Sequence, residues 1–259
     1  MLPVARSTAH LPATLTAILS ALPQEQGGLV ELLRHPRKIS HAGRDFWLGE
    51  LHGQPVVLAL SKIGKVAAAT TATALIERFG VHRIVFTGVA GGLGQGVKVG
   101  DLVVATDFVQ HDLDASPLFP RYEVPLYGKT RFDSDVSLSA LLFKASCGAL
   151  AQEGLAMHGF PGACVHQGLI ASGDRFVSGA DESCILRDSM AGAGHEVLAV
   201  EMEGAAVAQV CMDYGVPFAA VRTISDRADD SAHLDFPRFI EQVASPYAHA
   251  IVERLLRML

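Results

Sequence analysis

Cysteine is scarce: four residues in 259, at Cys147, Cys164, Cys184 and Cys211, with no CxxC spacing between any two. A chain of this length can build a core without cystine staples, so a disulfide framework is set aside and the four are read as reduced core thiols. Positive charge is also short. Lys and Arg number 21 against 27 Asp and Glu, a formal net charge of −6. With no basic excess to neutralise a phosphate backbone, nucleic acid is excluded as the main partner. Long apolar runs are missing too. The most apolar N-terminal stretch covers positions 15–22, while a spanning helix needs roughly 20 residues. The first residues carry one Arg and no small-residue cleavage site ahead of a polar start, so export and membrane insertion are not expected and the cytoplasm is. No repeat, low-complexity tract or dividing linker interrupts the chain, and one domain over 1–259 is expected.

What is abundant is apolar and glycine-rich. Hydrophobic residues make up 49% and glycines number 25, a composition suited to a packed core with tight turns. Short apolar runs at 13–20, 56–61, 83–87, 101–106, 163–170, 196–200 and 218–224 read as strands. Between them, 64–79, 135–153 and 202–214 read as helices, each followed closely by a glycine, and 236–259 as a long amphipathic closing helix. This alternation predicts a layered α/β fold around one mostly parallel sheet. The least regular segment, 110–131, holds Pro117, Pro120 and Pro125 among aromatic and apolar residues. It is read as a lid or an interface, with an ordered surface loop as the alternative.

Several tempting motifs fail. The glycine run from Gly88 to Gly96 follows a strand but fits GxGxxG in no register, which argues against a dinucleotide site. Gly128-Lys129-Thr130 would complete a P-loop only with glycine at 123, where Glu123 stands. No HExxH or GxSxG occurs. His111 with Asp112 and Asp114 is the one dense His/Asp group, and a loop cluster of that kind is more often hydrogen-bonded structure than a metal site. Acids at strand ends carry more signal. Asp226 follows the strand at 218–224, and Glu201 and Glu203 follow the one at 196–200. Ligands of open α/β sheets bind beyond carboxyl ends of strands, where desolvated acids serve as proton donors. Helix capping for Asp226 and dipole complementarity for the glutamates would explain the same residues equally well.

A set of ordered blocks then narrows the choice. SKIGKVAA (61–68), TGVAGGL (87–93), VGDLVVA (99–105), SGDRFV (172–177), AVEMEGAAVAQV (199–210) and VRTISDRAD with HLDF (221–236) resemble the purine nucleoside phosphorylase/uridine phosphorylase superfamily. Within it they most resemble the 5′-methylthioadenosine/S-adenosylhomocysteine nucleosidase family, with blocks matching from about residue 15 to 240. The resemblance implies a three-layer sandwich with a central mixed, mostly parallel sheet flanked by helices. It also implies hydrolysis of the N-glycosidic bond between adenine and a 5′-thio-substituted ribose through an oxocarbenium-like transition state.

By that resemblance Asp226 aligns with the general acid that protonates N7 of the departing purine, a role that requires it to hold a proton near neutral pH. Glu203 aligns with the carboxylate on the ribose hydroxyls and Glu25, in ALPQEQ, with the one that activates water. Phe176 would stack on adenine, Val177 offer backbone groups to its edge, Met202 pack beneath the sugar and Phe236 line the 5′-alkylthio pocket. Leu22, Val89 and Glu201 complete the lining, with Ser225 and Arg222 supporting Asp226 from behind. Leu22 stands where the family has methionine and Val89 where it has a small hydroxyl residue.

Phosphorolysis demands a dianion site of Arg, Ser or backbone N–H groups, and the resemblance implies that a bacterial phosphorylase of this superfamily would carry an Arg and a Ser around the first glycine loop. Phe86 and Val89 occupy those places, and ALPQEQ supplies an acid that repels phosphate. Hydrolysis is therefore expected. The alternatives are a phosphate-dependent purine nucleoside phosphorylase, a hydrolase of another purine nucleoside such as a futalosine-type substrate, or a non-catalytic nucleoside-binding protein. No cofactor or metal is implied. The expected partners are a small-molecule nucleoside and a second copy of the chain, with loop 110–131 near the neighbouring active site of a two-fold dimer.

Overall fold

The computed structural model describes residues 14–152, 160, 162–226 and 236–259. Ten strands form one mixed sheet: β1 (Thr16–Ser20), β2 (Arg34–His41), β3 (Arg44–Leu51), β4 (Gln54–Leu60), β5 (Arg83–Gly92), β6 (Leu102–Gln110), β7 (Arg131–Asp133), β8 (Val165–Ser172), β9 (Val197–Glu201) and β10 (Phe218–Asp226). The helices are α1 (Lys65–Phe79), α2 (Val136–Leu150), α3 (Ala180–Gly192), α4 (Gly204–Tyr214), α5 (Phe236–Phe239) and α6 (Ser245–Leu256).

Alternation along the central strands explains the layers. Ala17, Leu19, Val57, Ala59, Ile84 and Phe86 face one side and pack with α1 and α4 residues such as Leu75 and Val207. Ile18, Val56, Leu58 and Val85 face the other, against Leu142 of α2 and Tyr247, Ile251 and Leu255 of α6. Strands covered on both faces must be apolar at every position, which is why they read as continuous runs. The expected layered architecture with helices on both sides follows from this.

The strand order is β2-β3-β4-β1-β5-β10-β6-β8-β9, and β9 returns to pair with β5. Strands β5, β10, β6, β8 and β9 thus close into a ring, made possible by the length of β5. Its first part lies parallel to β1 and β10, and its last residues, Gly91 and Gly92, lie antiparallel to Val200 and Ala199 of β9.

The structure differs from the sequence reading in identifiable places. The hairpin β2–β3 was not foreseen, because Arg34–His41 is polar and exposed and lacks the apolar alternation of a half-buried strand. Its signal lay in the turns instead. Ala42-Gly43 and His52-Gly53 all take positive φ, as two-residue hairpin loops require. Helix α3 was missed for a similar reason, since Ser183 and Met190 are its buried positions. Strand β5 runs through the glycine segment to Gly92, and β10 continues past a bulge to end on Asp226 itself. The closing helix is interrupted. Ile240–Ala244 is a π-helical segment in which Ser245 N–H reaches Ile240 O, directly before Pro246, whose nitrogen cannot donate to the turn behind it. The thiols are not all in the core: Cys211 is buried, while Cys147, Cys164 and Cys184 are exposed. Residue 13, at the start of the first expected strand, lies outside the described residues, as does residue 153 at the end of the second helix.

Candidate active site

One glycine brings the two acid-bearing strand ends together. Gly91 of β5 stands opposite Asp226 of β10 in parallel register and opposite Val200 of β9 in antiparallel register. The segment Val200-Glu201-Met202-Glu203 and the end of β10 therefore converge on the same stretch of backbone. An open cavity of about 660 Å³ lies there, and both Glu203 and Asp226 line it. Leu22, Glu25, Val89, Phe176, Val177, Glu201, Met202 and Ser225 from the sequence-derived set also line it. Arg222 lies behind the wall, 1% exposed. The side chain of Phe236 lies outside the described residues.

Three buried glutamates share one buried guanidinium. Arg222 stacks on Phe86, with its central carbon 4.0 Å from the ring centroid, and donates from Nη2 to Glu201 Oε2. Its Nη2 is also 4.0 Å from Glu203 Oε2. Glu201 is held further by Ser172 Oγ, by Glu203 N–H at 3.1 Å and by Gly204 N–H at 2.8 Å. It thereby caps the start of α4. Arg222 and Glu201, which the sequence reading placed behind Asp226 and among the substrate contacts, pair with each other, and Glu201 keeps its place in the cavity wall; two desolvated opposite charges in reach are stable only together.

Glu203 accepts from Gly64 N–H at 2.9 Å. Burial, and then repulsion from Glu201, push its carboxyl up to about 8, against the pull of Arg222. Glu25 is 3% exposed and accepts from Ala21 N–H and Leu22 N–H, both at 2.8 Å, and from Val89 N–H at 3.1 Å. Burial raises its pKa too, opposed by Arg222 and by those backbone donors. The approach of Glu25 and Arg222 leaves no room at Gly88, where an added Cβ would overlap the Arg222 guanidinium and lie 3.0 Å from Glu25 Oε1. Asp226 is 8% exposed, and its Oδ2 accepts from Ser225 Oγ at 2.6 Å, a side-chain contact between these neighbours that bears on its orientation.

The far wall is formed by Phe176, 46% exposed, and by buried Val177. Their segment is tied down at Asp174, which accepts from Lys65 N–H at 2.7 Å and donates its own N–H to Asp112 Oδ2 at 2.8 Å. Lys65 Nζ reaches Asp112 Oδ1 at 2.5 Å and Gln110 Oε1 at 3.1 Å. Of the His111–Asp112–Asp114 group, the two aspartates are hydrogen-bonded structure, Asp114 binding Ser116, while the His111 ring lies over Gly173 with its buried Nε2 unpartnered among the described residues. Among the described residues no group of three or more His, Cys, Asp or Glu could hold a metal ion. Sequence reasoning assigned no role to Ile63, Gly64, Lys65, Ser172 or Asp174. Their motifs, SKIGKVAA and SGDRFV, were visible, but a backbone N–H donor has no side-chain signature.

This arrangement has counterparts. The family model described as the phosphorylase superfamily matches residues 16–257. The 5′-methylthioadenosine/S-adenosylhomocysteine nucleosidase of Actinobacillus succinogenes is 36% identical over 242 residues, 93% of this chain and 98% of its own. Among solved structures, the nucleosidase of that kind from Neisseria meningitidis, in complex with methylthio-immucillin-A, superposes with a TM-score of 0.84 at 36% identity, covering 95% of this chain and all of the other. The futalosine hydrolase of Helicobacter pylori superposes with a TM-score of 0.82 at 34% identity, covering 95% and 98%. Similarity of this extent, over the strands that carry the acids as well as the scaffold around them, means that the chain belongs to the phosphorylase superfamily and, within it, to the 5′-methylthioadenosine/S-adenosylhomocysteine nucleosidases.

Proposed function

We propose that this chain hydrolyses the N-glycosidic bond of 5′-methylthioadenosine, and of S-adenosylhomocysteine, to adenine and the thio-substituted ribose. The observation that carries this reading is that Asp226, Glu203 and Glu25 line one cavity that also has an exposed aromatic ring, Phe176, in its wall. The base stacks on Phe176 with its edge toward the backbone of Val177, and the sugar rests on Met202. Asp226, oriented by Ser225, gives its proton to N7 as the bond from N9 to C1′ breaks. Glu203 binds the ribose hydroxyls. Burial disfavours its carboxylate in the empty site, so the proton leaves to solvent as substrate binds, and the carboxylate then opposes the positive charge growing on the sugar. Water adds to C1′ and passes a proton to Glu25, whose raised pKa makes it a stronger base than an exposed glutamate.

Hydrolysis is favoured over phosphorolysis by where the backbone donors point. The N–H groups of Ala21, Leu22 and Val89, which could bind a phosphate, are held by the Glu25 carboxylate. The likeness to a futalosine hydrolase supports a second reading, in which the substituent on the nucleoside is bulkier. For the assembly we infer a two-fold homodimer. Ile63, Val66 and Phe176 leave apolar surface at or near the cavity mouth, and Leu118 and Leu126 are 84% and 92% exposed on loop 110–131, which suits burial against a second copy. Three exposed free thiols suit a reducing cytoplasm.

Incubation with 5′-methylthioadenosine in phosphate-free buffer is expected to release adenine and free methylthioribose at the rate seen with phosphate. A strict phosphate requirement with a sugar 1-phosphate product would overturn the hydrolase assignment, and faster turnover of futalosine in the same panel would favour the second reading. Asp226→Asn is expected to lower kcat on the order of 10²-fold or more with a smaller change in KM, and an unchanged kcat removes the acid role. Sedimentation of the active species is expected to give a dimer; an active monomer contradicts the inferred interface. The last expectation concerns pH. Glu203 moves from an ordinary 4.5 to about 8 on folding, so between those values the folded chain holds a proton that the unfolded chain releases. Stability is therefore expected to fall as pH rises from 5 to 9, with a shallower fall in Glu203→Gln. Equal slopes of Tm against pH in the two proteins would refute the protonation assigned to Glu203.

A further inference from the structure

A second hollow continues from the cavity mouth. Ala21, Leu22 and Ile63 belong to the walls of both, and beyond them a groove of about 1040 Å³ is bounded by Gln26, Arg44, Asp45, Trp47 and Lys62. Its position relative to the substrate follows from the contacts already described. Glu203, the sugar-binding acid, is held by the N–H of Gly64, so Ile63 stands at the sugar end and Phe176 at the base end. A chain leaving the ribose at C5′ along this wall passes Leu22 and Ile63 and meets the groove.

Beside its apolar lining the groove carries polar and charged groups that an alkylthio pocket would not need. Lys62 adopts φ of 64°, a left-handed conformation that glycine takes freely and lysine does not. Its side chain is exposed, and its ammonium has no partner among the described residues. Gln26 is 7% exposed, and its Nε2 is a buried donor with no hydrogen-bond partner among the described residues. An acceptor brought by a ligand would satisfy it. Arg44 is fixed by Thr71 Oγ1 and by the carbonyls of Ala42 and Ala67, neutral acceptors that orient it without cancelling its charge. Asp45 stands at the same groove, paired with Lys38 at 2.7 Å and Ser40 at 2.6 Å.

We propose that this groove receives the α-amino-acid end of a homocysteinyl substituent on the 5′ sulfur, and that Lys62 determines specificity for it by pairing with the α-carboxylate. The inference rests on the nucleosidase reading and deepens it. Gln26 Nε2 donates to the same carboxylate, the methylenes lie along Leu22 and Ile63, and the ammonium turns toward Asp45. A methylthio group ends before the groove and gains nothing from it. Backbone strain retained at a lysine is explained if the side chain is used there.

The test is the ratio of kcat/KM for S-adenosylhomocysteine to that for 5′-methylthioadenosine, in the wild type, Lys62→Gly and Lys62→Glu. 5′-Butylthioadenosine serves as an uncharged tail of similar length. Glycine suits the backbone at 62, so the first variant is expected to fold with an unreduced Tm. The ratio is expected to fall about fivefold in Lys62→Gly, the upper range for a solvent-exposed ion pair, and further in Lys62→Glu. High salt should narrow the difference. The butylthio to methylthio ratio should stay within about twofold in both. An unchanged homocysteinyl ratio, or equal losses for charged and uncharged tails, overturns the groove while leaving the nucleosidase reading intact. A wild type that cleaves neither substrate overturns that reading, and the groove with it.

Discussion

A single buried cation organises the catalytic end of the molecule. Arg222 lies on the face of Phe86 and against Glu201, and neither charge could be buried there without the other. Removing one partner of such a pair leaves a bare charge in low dielectric, at a cost of about 3–5 kcal/mol. The pair joins three strands, because Arg222 belongs to β10, Glu201 ends β9, and Ser172 at the end of β8 donates to Glu201. Glu201 then binds the N–H groups of Glu203 and Gly204, which fixes the turn into α4 and with it the direction of Glu203. The glycine at 88 is part of the same constraint, since any side chain there would occupy the space of the guanidinium.

The balance of charge around Arg222 sets the resting state of the site. Glu25, Glu201 and Glu203 surround one positive group, so full ionisation would leave two negative charges in a desolvated pocket. The carboxyls respond unequally. Glu201, with its ion pair and backbone donors, holds the guanidinium, whereas Glu203 is pushed toward its neutral form by burial and by Glu201. The resting pocket thus favours a neutral Glu203 carboxyl, and a positive charge brought beside it would favour the carboxylate. A site built from four interacting groups is tuned by their spacing more than by the identity of any one of them.

How much of this could be read in advance depended on whether a feature leaves a side-chain signature. Strands covered on both faces, such as Thr16–Ser20 and Phe218–Asp226, announce themselves as apolar runs, and acids at their ends stand out against that background. Asp226 and Glu203 stood out for that reason, whereas Glu25, in the turn after Thr16–Ser20, was named only through the family resemblance. The edge hairpin Arg34–Leu51 was not, because its first strand is solvated and its register comes from positive φ at its turns. Glu201 was legible as an acid but not as a cap, since the sequence does not say which of two neighbouring glutamates turns inward to Arg222. Lys62 was hidden inside a recognised block, where its unusual backbone conformation has no counterpart in composition.

The N-terminus of α1 links the two halves of the substrate site. Its Gly64 N–H is bound to Glu203 and its Lys65 N–H to Asp174, the residue that anchors the segment bearing Phe176 and Val177. Both acids accept from N–H groups at the positive end of the helix dipole, and at Glu203 this favours the ionised form. At Glu203 that pull opposes burial; at Asp174 the hydrogen bond fixes the segment bearing Phe176 and Val177. A displacement of this turn would move the sugar acid and the purine wall together, and the strained residue just before it, Lys62, borders the groove leading away from C5′. On the reading proposed above, base, ribose and 5′ substituent are all referred to one short stretch of chain, 61–65. On that reading the geometry of the bond to be broken is set there as much as by the acids that break it.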